Sequence, residues 1–533
     1  MAQRWLAGGE SRFAAIAVGS LMAAALLLRL WDLAARSLWF DEAVEYWVAS
    51  APLSSLSLGI ATARQPPLYT YVLHWWSRLG HAESWLRLLS VACGVGTVGS
   101  GFALARRAYG GRAGAVAALI LAVSPAAVKY SQEVGEYALG VWLVALSLLA
   151  LDRARMAPSL ARWGAWGLAS ALAALTHYGA ALVLAPPALA VWVGHARAGR
   201  RTAVAGQLAV GVASLIGVGL LVHPYLPGQL LGTAADAAAE PLQMPMAELA
   251  RLARACGAVV LFLLTGWPYA GLPTAWQIAV PVLLVLATLA AVSRRPGAIG
   301  GTPLLWLGLS LAAYYLALRL GWYAYGQPGF RYSLFLSPLL AVVLGGVFAW
   351  HERRHPRATW AALALLVGLS LIWLPNRSIS QVTRGALAWP ETEDVREVVG
   401  FWRERRRSPE PTYVYYGAVP AFRYYLLRAG LEQEDLPPGW YASCWVGEAE
   451  ADFCIADGVV YGAWLRHLSP EARGAAVLSA LPDGTGSFWL VTAHTAPDEE
   501  NQLLAQLSAA YTPAMAFSAR GASVYLMERR HEG

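Results

Sequence analysis

Long apolar runs alternate with short polar connections over the first 375 residues or so of this chain. The runs lie near 13–31, 85–105, 113–128, 135–151, 163–178, 179–194, 203–222, 274–292, 302–318, 332–350 and 358–375. Apolar runs approaching 20 residues are long enough to cross a bilayer, so the pattern predicts about eleven transmembrane helices. A further apolar stretch, "GAVVLFLLTGWPYAGL" (257–272), is short and broken by Gly-Trp-Pro. It is expected to be re-entrant or interfacial, because counting it as a crossing would invert every later connection. Beyond 375 the period changes. "TYVYY" (412–416), "SFWLVTA" (487–493) and "ASVYLMER" (522–529) read as strands rich in aromatic and β-branched residues. Residues 393–407 and 497–511 read as amphipathic helices, the second opening on Pro497 and acids. The expected organisation is a polytopic α-helical membrane domain, 1–375, with a first outer loop at 32–84, followed by a soluble α/β domain at 376–533.

Composition agrees. The chain is 57% hydrophobic and 14% charged, against about a quarter charged in an ordinary soluble domain. Its net charge of +7 does not indicate nucleic-acid binding, because the arginines are spread over short connections. Arg4 and Arg12, Arg106 to Arg112, Arg153 to Arg162, Arg197 to Arg201, Arg294 and Arg295, and Arg353 to Arg357 occupy every second connection. That alternation places the N-terminus in the cytoplasm and the tail outside a plasma membrane. Of the four cysteines, Cys444 and Cys454 fall in the tail, where an oxidising compartment leaves two readings open, a disulfide or a pair of buried thiols. No cysteine cluster has metal-ligand spacing.

The candidate chemistry sits in the other connections. "SLWFDEAVEYWVAS" (37–50) carries Asp41, Glu42 and Glu45 among aromatics just after the first apolar run. The same loop continues into "RQPPLYTYVLHWW" (64–76), with Arg64 and His74. "KYSQEVGEYAL" (129–139) holds Lys129, Gln132, Glu133, Glu136 and Tyr137; "THYGA" holds His177; "GWYAYGQPGFRYSLF" holds Arg331 and Tyr332. Lys129 is the only lysine in the chain. Ionisable groups at the edge of a membrane core are costly and hence functional candidates. Each also has a plainer reading: Asp41 as a helix cap, Glu133 as a loop-end acid, Arg331 as a snorkelling arginine and His177 as a helix-end residue.

Taken in order, "SLWFDEAVEY", "QPPLYTYVLHWW", "ESWLRLLSVACG" and "YSQEVGEYAL" resemble the polytopic glycosyltransferases of the C-type fold (GT-C). They are most similar to the branch near the protein O-mannosyltransferases and the lipid A aminoarabinose transferase. "FRYSLFLSPLL" (330–340) adds weaker support. The resemblance implies transfer of a sugar, with inversion, from a polyprenyl-phosphate donor to a glycan, protein or lipid-linked acceptor at the outer face. It makes Asp41 the general base, with Glu42 orienting the loop or the acceptor. Glu133, with Glu136 beside it, matches a second acidic site for acceptor, base or metal. The lipid phosphate falls to Arg331, with Tyr332, Lys129, Arg64 and His74 behind it; Tyr137, His177 and Gln132 are further cavity candidates. No cofactor is certain from the resemblance. Mg²⁺ or Mn²⁺ would suit carboxylates such as Asp41 and Glu133.

Two positions depart from the family. Gly135 stands where many relatives carry a basic residue, which shifts any phosphate contact to Lys129 or Arg331. Gln65 stands where the aminoarabinose transferase has a lysine, which favours a neutral hexose or pentose. The rival reading is a transporter or flippase of a lipid-linked or polar substrate. Transporters often carry internal repeats and broken helices deep in the membrane; here the early spans do not recur in the later ones, and the acids sit in loops.

Overall fold

The computed structural model describes residues 2–62, 65–227, 259–260, 263–264, 301–320, 331–372, 393–407, 410–430, 453–456, 458–462, 465, 468–496 and 498–530. In chain order the helices are α1 (Ala2–Leu30), α2 (Phe40–Ser50), α3 (Leu53–Thr62), α4 (Leu68–Ser77), α5 (Glu83–Tyr109), α6 (Gly111–Val123), α7 (Pro125–Ser131) and α8 (Tyr137–Met156). They continue with α9 (Leu160–Thr176), α10 (Ala180–Arg197), α11 (Arg201–Val222), α12 (Gly301–Arg319), α13 (Ser337–Glu352), which a 3₁₀ turn (Arg331–Leu336) precedes, and α14 (Pro356–Ile372). The tail holds α15 (Val395–Arg405), β1 (Thr412–Val414), α16 (Val419–Arg428), β2 (Phe453–Ala456), β3 (Val459–Gly462), α17 (Pro470–Ser479), β4 (Ser487–Ala493), α18 (Glu499–Leu507), β5 (Tyr511–Ala519) and β6 (Ala522–Arg529).

The chain divides into two compact units. One comprises Met1–Leu33, Arg64–Tyr69 and Arg87–Ala388; the other comprises Ala34–Ala63, Thr70–Leu86 and Trp389–Gly533. The division at residue 375 expected from sequence therefore differs from that of the structure, which groups most of the first outer loop with the tail.

In the first unit, apolar runs became helices wherever the residues are described. α5, α8, α10, α11 and the segment Arg331–Glu352 are long and apolar enough to cross a membrane, and Ala15–Leu30, Pro303–Ala317 and Pro356–Leu371 are shorter apolar helices. The expected span 274–292, and all of 257–272 except four buried residues at 259–260 and 263–264, lie outside the described residues. The run at 113–128 is a correction: it is not one straight helix but α6 and α7, bent by 59°. The cause is Pro125. It has no N–H to give Leu121, so the ladder fails there. In an apolar setting the freed carbonyls need donors, and Arg29, buried near the end of α1, supplies them. Its Nη2 donates to Leu121 O at 3.0 Å and its Nη1 to Ala122 O at 3.1 Å. Ser124 caps α7 by accepting from Ala127 N–H. Gln132, just past α7, donates to Arg29 O and Trp31 O at 3.0 and 2.8 Å, tying the segment back to the end of α1. Elsewhere in the unit Gly345 lets α13 lie directly on α6: a Cβ there would sit 2.4 Å from Ala113 O.

The second unit is built on a six-stranded mixed sheet in the order β2-β3-β1-β4-β6-β5, with β1 parallel to both β3 and β4. Tyr413, Tyr415, Phe488, Leu490, Leu503, Leu507, Tyr511 and Met527 fill its core. α15 buries Val395, Val398, Val399 and Trp402, the spacing of one helical face. The three strands expected from sequence lie within or upon β1, β4 and β6. The helix expected over 497–511 ends at Leu507, and Tyr511 opens β5. Pro513 sits at a bulge in β5, an edge strand, where the missing N–H is tolerated. Cys444 lies outside the described residues, and Cys454 pairs by its backbone with Tyr461.

A buried carbonyl left without a donor costs about 1–3 kcal/mol. Arg29→Leu is therefore expected to lower stability by roughly 3 kcal/mol through the α6–α7 break, measured as a lowered Tm in detergent; Arg197→Leu, at an exposed arginine, serves as the control and should leave it unchanged.

Candidate active site

In the helical unit the α6–α7 break carries a polar segment into an apolar interior. Lys129 has no exposed surface, and its Nζ lies 3.1 Å from Glu133 Oε1, one helical turn on. The same ammonium stands 4.3 Å from the centre of the Tyr130 ring. A buried pair of this kind is sustained by its mutual attraction, and removing one partner strands the other charge, at a cost of about 3–5 kcal/mol.

Three connections that are distant in sequence meet next to it. Tyr137 opens α8, His177 caps the C-terminal end of α9, and Arg331 and Tyr332 start the 3₁₀ turn before α13. The His177 ring lies 5.6 Å from Tyr137, 5.5 Å from Tyr332 and 4.8 Å from Phe335, centre to centre. The Arg331 guanidinium stands over both tyrosine rings, at 6.0 and 5.6 Å. His177 Nδ1 accepts from Gly179 N–H at 2.9 Å. That bond fixes the tautomer, so the proton is on Nε2, which has no hydrogen-bond partner among the described residues. The nearest acid is Glu136, at 4.0 Å. The result is a set of donors, the half-buried Arg331 and the buried His177 Nε2–H, bounded by tyrosines and the carboxylate of Glu136. Such a set can bind an anion and fix its orientation.

The other acids belong to the second unit. Trp39 is the N-cap of α2, so Asp41 stands inside the first turn, half-buried, and is not the cap. Glu42 is buried, and its carboxylate reaches back to Trp39 N–H at 3.4 Å, half of a capping box. His74, also buried, donates through Nδ1 to Ala49 O at 2.7 Å and so holds α4 against the end of α2. Glu133 is engaged by Lys129 and Gln132 by the end of α1. Arg64 lies outside the described residues. Among the described residues no three His, Cys, Asp or Glu side chains group as a metal site.

Several residues around α2 escaped the sequence reading because their partners come from the tail. Glu393 Oε2 accepts from Phe40 N–H at 3.0 Å, and Tyr425 Oη accepts from Leu38 N–H at 2.7 Å. Tyr425 in turn donates to Glu83, and Glu83 pairs with Arg396. Arg396 Nη2 donates to Ala34 O and Arg36 O, both at 3.1 Å. Trp47 Nε1 donates to Pro420 O at 2.8 Å, and Arg423 covers the Trp47 ring at 4.2 Å. Burial pushes the Glu393 carboxyl upward against the opposing pull of His494 and the Phe40 amide. Burial and the neighbouring Glu83 carboxylate hold the Tyr425 phenol well above its ordinary range. Arg29 did leave a signal, as a charge inside an apolar run; the tail residues left none.

The family described as dolichyl-phosphate-mannose-protein mannosyltransferase matches residues 64–223. No curated protein matches the chain by sequence. Among solved structures, ArnT from Cupriavidus metallidurans in the apo state is 14% identical with a TM-score of 0.55, over 96% of this chain and 97% of that one. ArnT from the same organism bound to undecaprenyl phosphate is 15% identical with a TM-score of 0.54, over the same shares. The archaeal oligosaccharyltransferase AglB from Archaeoglobus fulgidus, in complex with an inhibitory peptide and a dolichol phosphate, is 13% identical with a TM-score of 0.49, over 95% and 74%. Over nearly its whole length this chain has the C-type glycosyltransferase fold, and over residues 64–223 it carries the pattern of the dolichyl-phosphate-mannose-protein mannosyltransferase family.

Proposed function

We propose that this chain is a multi-pass membrane glycosyltransferase that moves a neutral hexosyl or pentosyl group from a polyprenyl-phosphate donor to a hydroxyl acceptor at the outer face, with inversion. The observation that carries this reading is the buried polar set Lys129, Glu133, Glu136 and His177, with the half-buried Arg331 beside it, inside an apolar helical unit of transferase fold. Charges in such a place need a function to justify their desolvation. A solved structure of this fold binds undecaprenyl phosphate, which supports a lipid-phosphate donor. The acceptor is a glycan, a protein or a lipid-linked saccharide.

In the reaction, an acceptor hydroxyl attacks the anomeric carbon from the face opposite the phosphate. Asp41 takes the hydroxyl proton as the new C–O bond forms. The bond from the anomeric carbon to the phosphate oxygen breaks, and its electron pair leaves with the lipid phosphate. The added negative charge is met by the Arg331 guanidinium, the Nε2–H of His177 and the Tyr332 hydroxyl. Lys129, held by Glu133, keeps the segment fixed and contributes positive potential. The Gly179 amide keeps the His177 ring, and so its Nε2–H, oriented. The arginine-bearing connections then face the cytoplasm, with the N-terminus, and the tail faces outward.

Lipids extracted from the purified protein should include a polyprenyl phosphate by mass spectrometry; bulk phospholipid alone, even after soaking with polyprenyl-phosphate sugars, would overturn the donor assignment. A positioned general base is worth about 10²- to 10⁴-fold, so Asp41→Asn should lower turnover by that factor with Tm unchanged, and undiminished turnover would remove Asp41 from the mechanism. A hydrogen bond to a charged group is worth about 1.5–3 kcal/mol, so Arg331→Gln should weaken donor affinity roughly 10- to 150-fold in a titration with lipid phosphate.

A further inference from the structure

The turn that delivers Asp41 is gripped from one side by a pair that belongs to the tail. Glu393 is almost wholly buried just ahead of α15. One of its carboxylate oxygens accepts from Phe40 N–H at 3.0 Å, and the other meets His494 Nδ1 at 2.7 Å. The His494 ring lies flat on Phe40, 4.1 Å between centres and 6° from parallel, so the pair touches the residue before Asp41 through both its backbone and its side chain. Phe40 N–H is one of the first-turn donors that a helix cannot satisfy internally, and a carboxylate there also opposes the positive end of the helix dipole.

The backbone at His494 carries a second, independent mark. Its φ is +54°, in the left-handed region that residues other than glycine enter uncommonly. This position follows β4 directly, and it sits against Gly417, where a Cβ would come within 2.9 Å of His494 Cβ and 2.3 Å of Ala493 O. The contacts that hold this uncommon backbone in place are those to Glu393 and Phe40. The charged and titratable groups facing Glu393 are His494 and Asp41 itself, whose charge acts on the same carboxyl.

We propose that Glu393 and His494 are positioning residues for the transfer reaction: a buried acid–imidazole latch that fixes the first turn of α2, and so the direction of the Asp41 carboxylate. The proposal rests on the reading of Asp41 as general base. It assigns the tail a part in catalysis beyond any in recognising the acceptor. Neither residue touches substrate in this scheme; both act through the Phe40 amide and ring.

The test compares variants of the full-length protein in a sugar-transfer assay, with kcat and donor KM determined separately. Glu393→Ala and His494→Asn (Asn tolerates the left-handed backbone but cannot cover Phe40) should each lower kcat at least tenfold while donor KM stays within twofold. Glu393→Gln, which keeps an acceptor for Phe40 N–H, should recover a large part of the loss. Tyr415→Phe breaks a buried hydrogen bond to Glu499 elsewhere in the tail, and should lower Tm without this fall in kcat. Hydrogen exchange should quicken at the start of α2 in Glu393→Ala. If Asp41→Asn is inactive while Glu393→Ala keeps full kcat, or if Tyr415→Phe loses kcat to the same degree, the latch is refuted and the base assignment survives. If Asp41→Asn turns over normally, the base assignment fails and takes the latch with it.

Discussion

Backbone carbonyls in an apolar surround must be paired, and in the helical unit that requirement governs how its polar segment is built. Pro125 breaks the helix and frees Leu121 O; Arg29 brings a buried guanidinium from α1 to meet it and its neighbour Ala122 O. Because the break is chemically satisfied, the chain can turn by 59° and carry Lys129, Gln132 and Glu133 inward. A charge at this depth would be costly by itself. It is tolerable because Lys129 and Glu133 face each other across one turn, and because Arg331 has aromatic faces on which to lie.

The second unit solves a different problem, that of holding a short helix at a defined angle when its own first-turn amides have no partners. α2 is only one loop helix among several, yet its start and the connection before it are held at several points. Tyr425 takes the Leu38 amide, Glu393 takes the Phe40 amide, and Arg396 binds carbonyls at 34 and 36. Glu42 completes the set from inside the helix. The bonds from Tyr425, Glu393 and Arg396 join residues more than 300 positions apart, so the geometry of the Asp41 turn depends on a folded tail.

The tail also uses for structure an acid at the start of its last helix. Glu499 opens α18, where an acid suits the helix dipole. In the structure it is buried and takes the hydroxyls of Tyr415 and Tyr416, the Arg473 guanidinium and the Ala496 amide. Its role is to close the core over β1; burial first, and then the Glu499 carboxylate, push the Tyr415 phenol upward against the opposing pull of Arg473.

What the sequence determined by itself was the class of the molecule and the position of its apolar helices, because spans are set by local runs whose length must match a bilayer. It also exposed the acids and bases in the connections, since charges beside apolar runs are conspicuous, and three strands of the tail, through β-branched and aromatic clustering. Tertiary structure decided the rest. The 113–128 run reads as one helix until Pro125 finds its compensating donor in Arg29, far away in sequence. His177 reads as a bare histidine until Gly179 sets its tautomer and Arg331, Tyr137 and Tyr332 arrive from other connections. Glu393 and His494 are unremarkable in the sequence, an acid and an imidazole 101 positions apart. Only the sheet, which carries His494 at the end of β4, brings them together on Phe40. Periodicity records which face of an element is buried; it holds no record of which distant residue will meet that face.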